Sequence, residues 1–131
     1  MRISRSLTPV LLLLFAAAGC DRAPAPTAAS REPQATRTGV DPLVGRWIGV
    51  EGMFLDIAPA SAPGRYVLTM QWDLDHRGRF DGIARDGTIG FTRNGVAETL
   101  RPTDGAATQL KYLAEKQHCL TVKPGEGYCR A

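Results

Sequence analysis

Apolar and polar residues alternate most regularly between Arg65 and Leu74. Large apolar side chains occupy every second position there, at Tyr66, Leu68, Met70, Trp72 and Leu74. A period of two places one set of side chains on a core face and the other set towards solvent, which is typical of a half-buried β-strand. This segment is therefore the clearest predicted strand of the chain.

Seven further short segments have the composition of strands and follow each other closely. They are 46–50, 53–57, 79–85, 88–93, 96–101, 118–123 and 127–130. Turn-forming pairs separate them, and Asn94-Gly95 is the strongest signal for a two-residue hairpin. Turns at this density leave no room for crossover helices, so consecutive strands are expected to pair in the antiparallel sense.

One segment, 103–117, has a helical spacing of apolar residues instead. Leu110, Leu113, Ala114 and Gln117 lie on one predicted helical face, and Thr103 or Asp104 could serve as the N-cap. We predict a short helix near residues 104–116 that covers one end of the sheet. The expected fold is mainly all-β, a small antiparallel β-barrel or a sandwich, and a barrel is favoured because closure hides the strand edges.

The first 20 residues differ from the rest in composition. They contain two arginines, an apolar run from Val10 to Ala18, and small residues that lead to Cys20. This is the order of a secretory signal, and the apolar run is too short for a permanent membrane helix, which needs about 20 residues. One interpretation is that such a signal is cleaved at an ordinary small-residue site and that no lipid is attached.

The other reading rests on the four residues Ala17-Ala18-Gly19-Cys20, which resemble the lipobox of bacterial lipoproteins. The resemblance implies that residues 1–19 are a lipoprotein signal peptide and that Cys20 receives fatty acyl chains. The expected partner is then a lipid membrane, and the expected location is the bacterial cell envelope, with the protein facing the periplasm. Whether the inner or the outer membrane carries it stays open.

Residues 20–41 are expected to form a lipid-anchored, disordered tether. The segment is rich in Ala, Pro, Thr and Arg, and it has almost no large apolar residue that could offset the entropy of ordering. A flexible coil of that length reaches about 25 Å on average and roughly 65 Å when extended. An ordered arm that docks on the domain or on a partner is the alternative. Residues 42–131 are expected to form the β domain.

The charge balance argues against nucleic-acid binding. The 131 residues include 16 basic and 13 acidic ones, but Arg2 and Arg5 would leave with the signal peptide, so the mature chain is nearly neutral. The basic residues are scattered, which gives no footprint for nucleic acid. Arginines and carboxylates alternate along the chain in a way that is typical of a solvated sheet face.

Two cysteines remain once Cys20 is assigned to lipid. Cys119 and Cys129 flank a predicted hairpin that turns near residue 124, so they are expected to lie opposite each other. In an oxidising compartment such thiols form a disulfide. A redox or metal pair is the alternative, but the Cys-x-x-Cys spacing is missing and His118 is the only histidine nearby.

The segment that starts at Asp73 has the spacing of a calcium loop in part. Asp73, Asp75 and Gly78 occupy the first, third and sixth places, and Asp81 follows. Arg77 stands at the fifth place, where an oxygen ligand belongs, and Ala84 stands at the place of the bidentate glutamate. We therefore expect a hairpin turn here, with no metal ion and no cofactor.

An enzyme is not expected. The two histidines, His76 and His118, lie in unrelated segments outside any nucleophile or metal motif. The only serines after Cys20 are Ser30 and Ser61, and neither lies in a Gly-x-Ser-x-Gly turn.

Two kinds of binding function are consistent with these features. Gly45-Arg46-Trp47 resembles the Gly-x-Trp start of lipocalin-like barrels, and the resemblance implies that a late arginine, Arg130, packs over Trp47. A lipocalin-like barrel would hold a small apolar ligand inside. A domain of this size has little interior to spare, however, which favours a module that binds a protein or an envelope component through its loops or rim.

Overall fold

Each strand of the barrel pairs with its neighbours in chain order, and the last strand pairs with the first. The computed structural model describes residues 39–131, in which eight antiparallel strands close into a barrel. The strands are β1 (Gly45–Ile48), β2 (Phe54–Pro59), β3 (Arg65–Gln71), β4 (Arg77–Arg85), β5 (Thr88–Arg93), β6 (Val96–Thr103), β7 (Cys119–Lys123) and β8 (Glu126–Cys129). The predicted antiparallel barrel is confirmed, whereas the signal peptide, Cys20 and the tether up to residue 38 lie outside the described residues.

Local sequence explains the hairpins. Asn94 and Gly95 have φ angles of 51° and 76°, and Asp86 and Gly87 have φ angles of 47° and 77°. Two successive residues with positive φ form the tight turn whose twist matches that of the flanking strands. The β5–β6 turn thus forms at the predicted Asn94-Gly95 pair.

The interior of the barrel is filled by the predicted period-two residues. Tyr66, Leu68 and Met70 of β3 are buried, but β3 ends at Gln71 and Leu74 is 66% exposed in the following loop. The core around them contains Val40, Leu43, Trp47, Met53, Leu55, Ile57, Ile89, Phe91, Leu100, Leu120, Val122 and Tyr128.

The two ends of the barrel differ. The closed end carries a 3-10 turn, η1 (Asp41–Leu43), together with the β2–β3 and β4–β5 turns. The long β6–β7 connection starts and ends there, but it also reaches the β7–β8 turn, where the Gly125 amide donates to the Thr108 carbonyl. The hairpin end, opposite to the closed end, carries the β1–β2 and β3–β4 loops and the β5–β6 and β7–β8 turns. Val40 is 1% exposed in the core, so the packed domain begins two residues before the predicted boundary at residue 42.

The predicted helix near residues 104–116 is wrong. The segment contains only two 3-10 turns, η2 (Ala106–Thr108) and η3 (Lys111–Leu113). Between them Gln109 has a φ of 57°, which interrupts any helix, and the Gly105 amide donates to the Lys116 carbonyl. The segment therefore folds back on itself. Within residues 39–131 no helix has the length and apolar character to cross a membrane.

Two seams of the barrel have short ladders. β1 and β8 share one register pair, Ile48 with Cys129. β4 has nine residues, but only Ile83 to Arg85 pair with β5. Residues 77–82 of β4 therefore lie beyond the β4–β5 ladder, and the two strands diverge towards the hairpin end. We call this gap the β4–β5 cleft.

Candidate functional site

An ionic network lies inside the barrel at the hairpin end. Arg93 ends β5, Glu98 lies in β6 and Glu126 begins β8, and the three side chains point inwards. Arg93 donates from both terminal nitrogens to Glu126, at 2.7 Å each, and also to Glu98. The Tyr128 hydroxyl donates to Glu126 Oε1 at 3.1 Å. Arg93 is only 3% exposed, so its charge is compensated by these carboxylates rather than by water.

The ionisation of this network follows from its surroundings. Burial alone would lower the pKa of Arg93, but the hydrogen bonds and negative charges of Glu126 and Glu98 outweigh it and raise the pKa above its usual value. The pKa of Tyr128 is raised by burial first and then by the negative charge of Glu126. Lys123, at the surface, lies 3.4 Å from Glu98 Oε1. Arg93 is thus a permanent cation and Tyr128 a neutral hydrogen-bond donor.

An aromatic cluster continues from this network towards the β4–β5 cleft. The ring centroids of Trp72 and Phe80 are 5.6 Å apart, and those of Phe80 and Phe91 are 5.9 Å apart. The guanidinium carbon of Arg93 lies 4.8 Å from the Trp72 ring centroid, a cation–π contact. Trp72 and Phe80 are only partly buried, so the cluster offers apolar surface at the mouth of the cleft.

Two grooves flank this region. One, of about 420 Å³, crosses the hairpin end from Glu51 and Met53 past Trp72 to Gly125. The other, of about 540 Å³, follows the outer wall between Asp81 of β4 and Thr92 of β5. Both are open grooves with mixed polar and apolar walls, whereas the barrel interior beneath them is occupied by side chains.

The loop between β3 and β4 is a hairpin turn whose aspartate is satisfied by the protein. Asp73 Oδ1 accepts the backbone amides of Asp75 and His76 at 2.9 and 2.8 Å, and the carboxylate also contacts His76 Nδ1 at 2.9 Å. Desolvation alone would raise the pKa of Asp73, but these hydrogen bonds outweigh it and lower the pKa. Asp81 lies apart from this loop, on β4. Within residues 39–131 no group of three or more His, Cys, Asp or Glu side chains is arranged to hold a metal ion.

The predicted disulfide is present in the structure. Cys119 of β7 and Cys129 of β8 are register partners on either side of the turn at Pro124-Gly125, and they are bonded to each other. Both residues are buried. Because β8 shares only one register pair with β1, this covalent link to β7 helps to hold the last strand in the barrel.

Arg130 closes the opposite end of the barrel. Its guanidinium carbon lies 4.0 Å from the Trp47 ring centroid, which is the contact that the lipocalin-like resemblance implies. It also donates to the carbonyl oxygens of Pro42, Val44 and Arg46. The Trp47 indole donates to the Leu43 carbonyl at 2.8 Å. These bonds fix η1 across the closed end.

The buried ionic network was not predicted from the sequence, because its arginine and carboxylates were expected on a solvated sheet face. The alternation along the three strands could have predicted that these side chains point inwards. Arg93 continues the period-two series of Ile89 and Phe91, and Glu98 shares the inward face of Leu100. Glu126 likewise shares the face of Tyr128.

Comparisons with models of known protein families, with curated proteins and with solved structures gave no match.

Proposed function

We propose that this protein is a membrane-anchored lipoprotein of the bacterial cell envelope whose barrel is a binding module for a protein or another envelope component. Its contact surface is the hairpin end, and its role is binding rather than catalysis. The acyl chains on Cys20 hold it to a membrane, and the tether gives the barrel a limited reach on the periplasmic side.

The observation that carries this proposal is the contrast between a filled interior and an exposed apolar rim. Leu55, Leu68, Met70, Ile89 and Leu100 are fully buried inside the barrel. At the hairpin end, by contrast, Leu74 is 66% and Val96 is 57% exposed. Exposed apolar side chains around a groove are typical of interaction surfaces, and a filled barrel leaves no comparable room for a ligand inside.

The position of the chain's entry supports the same surface. Val40 packs into the core next to η1, so the described chain enters the barrel at its closed end. The closed end is occupied by η1 and by the bonds of Arg130.

Site-specific crosslinking in the native bacterium tests the proposal. A photoreactive phenylalanine derivative replaces Leu74 or Val96 in the full chain, and the matched control replaces Tyr112, which is 84% exposed on the long β6–β7 connection. We expect the Leu74 and Val96 positions to give the same crosslinked species, identified by mass spectrometry, and the Tyr112 position not to give it. Equal crosslinks from all three positions, or none from the hairpin end, would contradict the proposal.

A second candidate is the binding of a small apolar ligand inside the barrel, as in lipocalins. The contact between Arg130 and Trp47 favours it, because it matches the lipocalin-like resemblance at both residues. The filled interior counts against it, since a ligand would have to displace buried side chains. A fatty acid titrated into the protein would then quench the fluorescence of buried Trp47 with saturation at one equivalent.

A further inference from the structure

The backbone of β4 offers an unpaired edge along the β4–β5 cleft. Arg85 and Thr88 flank a two-residue turn and thus exchange both hydrogen bonds, as do Ile83 and Gly90 two residues further on. The same alternation directs the N–H and C=O groups of Asp81, Arg79 and Arg77 towards the cleft. The register gives none of these three a partner in β5.

The other side of β4 supports this assignment. The amide of Ala84 donates to the Gly64 carbonyl, on the β3 side. Residues of opposite parity in one strand direct their backbone groups to opposite sides, so the odd-numbered residues face β5. The free edge spans residues 77–82, a length of about 20 Å at roughly 3.4 Å per residue. This is enough for an added strand of five or six residues.

The outer face of this edge is basic. Arg77, Arg79 and Asp81 are all exposed on this face, and within residues 39–131 neither arginine forms an ion pair, so the face carries two positive charges and one negative charge. Across the cleft the wall presents small residues, among them Gly90 and Thr92, and the groove between them is about 540 Å³. An incoming strand would therefore meet little steric obstruction and a net positive charge, from Arg77 and Arg79 against Asp81.

The inner face of the same edge is apolar. Phe80 alternates with Arg79 and Asp81, so it points inwards, where it contacts the rings of Trp72 and Phe91. Phe80 is only partly buried, and an apolar side chain from an added strand could cover it. The edge thus selects alternating side chains, with acidic ones outside and apolar ones inside.

We propose that the β4 edge binds an extended peptide segment of its partner by strand addition, and that this segment alternates acidic and apolar residues. Main-chain hydrogen bonds to Arg77, Arg79 and Asp81 supply the register, and the two arginines select the charge. The inference rests on the proposed binding role and specifies the chemistry of the partner.

The test uses the full chain in detergent micelles and three synthetic hexapeptides. The first has the sequence TEVEVT, the second replaces both glutamates by lysine, and the third is TEVEVT with N-methyl groups on the glutamate amides. Binding is followed by NMR, through amide shifts and hydrogen exchange. We expect TEVEVT to protect the amides of Arg77, Arg79 and Asp81, and we expect the N-methylated peptide not to bind, because it lacks the donors that face the strand.

Charge reversal separates strand addition from unspecific adhesion. Arg79→Glu should weaken the binding of TEVEVT about tenfold and strengthen that of the lysine peptide, because the cross-strand charge pairs change sign. The matched control, Lys111→Glu on the β6–β7 connection, should change neither affinity more than about twofold. Absence of binding, equal binding of the N-methylated peptide, or protection of residues outside β4 would overturn the proposal.

Two further outcomes would also overturn it. Dimerisation of the free protein that Arg79→Glu abolishes would assign the edge to a second copy of this chain. Crosslinks from Leu74 that persist unchanged in the Arg79→Glu variant, without peptide binding to β4, would retain the binding role of the hairpin end but exclude strand addition.

Discussion

Arg93 is the residue whose environment departs most from what its chemistry prefers. A guanidinium inside a barrel has lost its hydration and is stable only with compensating charge and hydrogen bonds. Glu126 supplies a two-point contact and Glu98 a further one, while Trp72 covers the guanidinium plane. The network thus holds the end of β5 to the starts of β6 and β8 at the hairpin end.

Removal of Arg93 should destabilise the protein strongly. In Arg93→Met the apolar stem is kept, but Glu126 and Glu98 lose their buried counter-charge and retain only that of the exposed Lys123, so we expect the free energy of unfolding to fall by about 3–5 kcal/mol. Urea denaturation followed by tryptophan fluorescence measures this loss.

Arg79→Met in the neighbouring strand is the matched control for this prediction. Arg79 is exposed and forms no ion pair within the described residues 39–131, so the change should stay within about 0.5 kcal/mol. Equal, small losses in both variants would mean that the network contributes no more than a surface charge does.

The β6–β7 connection is the element in which tertiary contacts override local preference. The Thr108 carbonyl accepts the Gly125 amide from the β7–β8 turn, and Leu113 is buried against the disulfide. Gly105 packs so closely under the returning chain that a Cβ there would meet the Leu113 carbonyl. The conformation of the connection is therefore determined by its contacts with the β7–β8 turn and the disulfide.

Gly105→Ala should accordingly disturb this element, although the φ of Gly105 is an ordinary −68°. The added methyl group would lie 1.6 Å from the Leu113 oxygen, so the backbone must shift, and we expect a loss of about 1–3 kcal/mol or more in thermal unfolding. Hydrogen exchange at the Lys116 and Gly125 amides should accelerate together.

The control for this variant is Gly90→Ala on the outer wall. A Cβ at Gly90 would come no closer than 3.9 Å to any neighbour. Its stability should stay equal or rise slightly, since the unfolded chain becomes less flexible. A Gly105→Ala protein as stable as Gly90→Ala would show that the connection can move aside without cost.

The difference between local and tertiary interactions explains which elements could be predicted from the sequence. All eight strands were predicted within three residues at each end, because alternation and turn pairs such as Asn94-Gly95 act locally. The helix failed because the apolar spacing of Leu110 and Leu113 serves packing against the disulfide region. The candidate site was missed because pairing of Arg93 with Glu126, 33 positions later, is a property of barrel closure.

At the scale of the whole molecule the barrel is polarised along its axis. The closed end begins at Val40, is fixed by Arg130 and carries a groove of about 460 Å³, while the hairpin end combines a groove of about 420 Å³, the aromatic cluster and the free β4 edge.

The anchor is tested by Cys20→Ser in the full chain. If Cys20 carries the acyl chains, the variant should incorporate no radiolabelled palmitate and should move from the membrane to the soluble fraction, because a chain without acyl groups has nothing to hold it in the bilayer. The barrel should keep its stability, since Cys119 and Cys129 form the disulfide without Cys20.

The double variant Cys119→Ser, Cys129→Ser is the matched control and should keep its label and its membrane location. Palmitate that persists in Cys20→Ser, or an unlabelled wild-type chain that still begins at Met1, would refute the lipoprotein assignment.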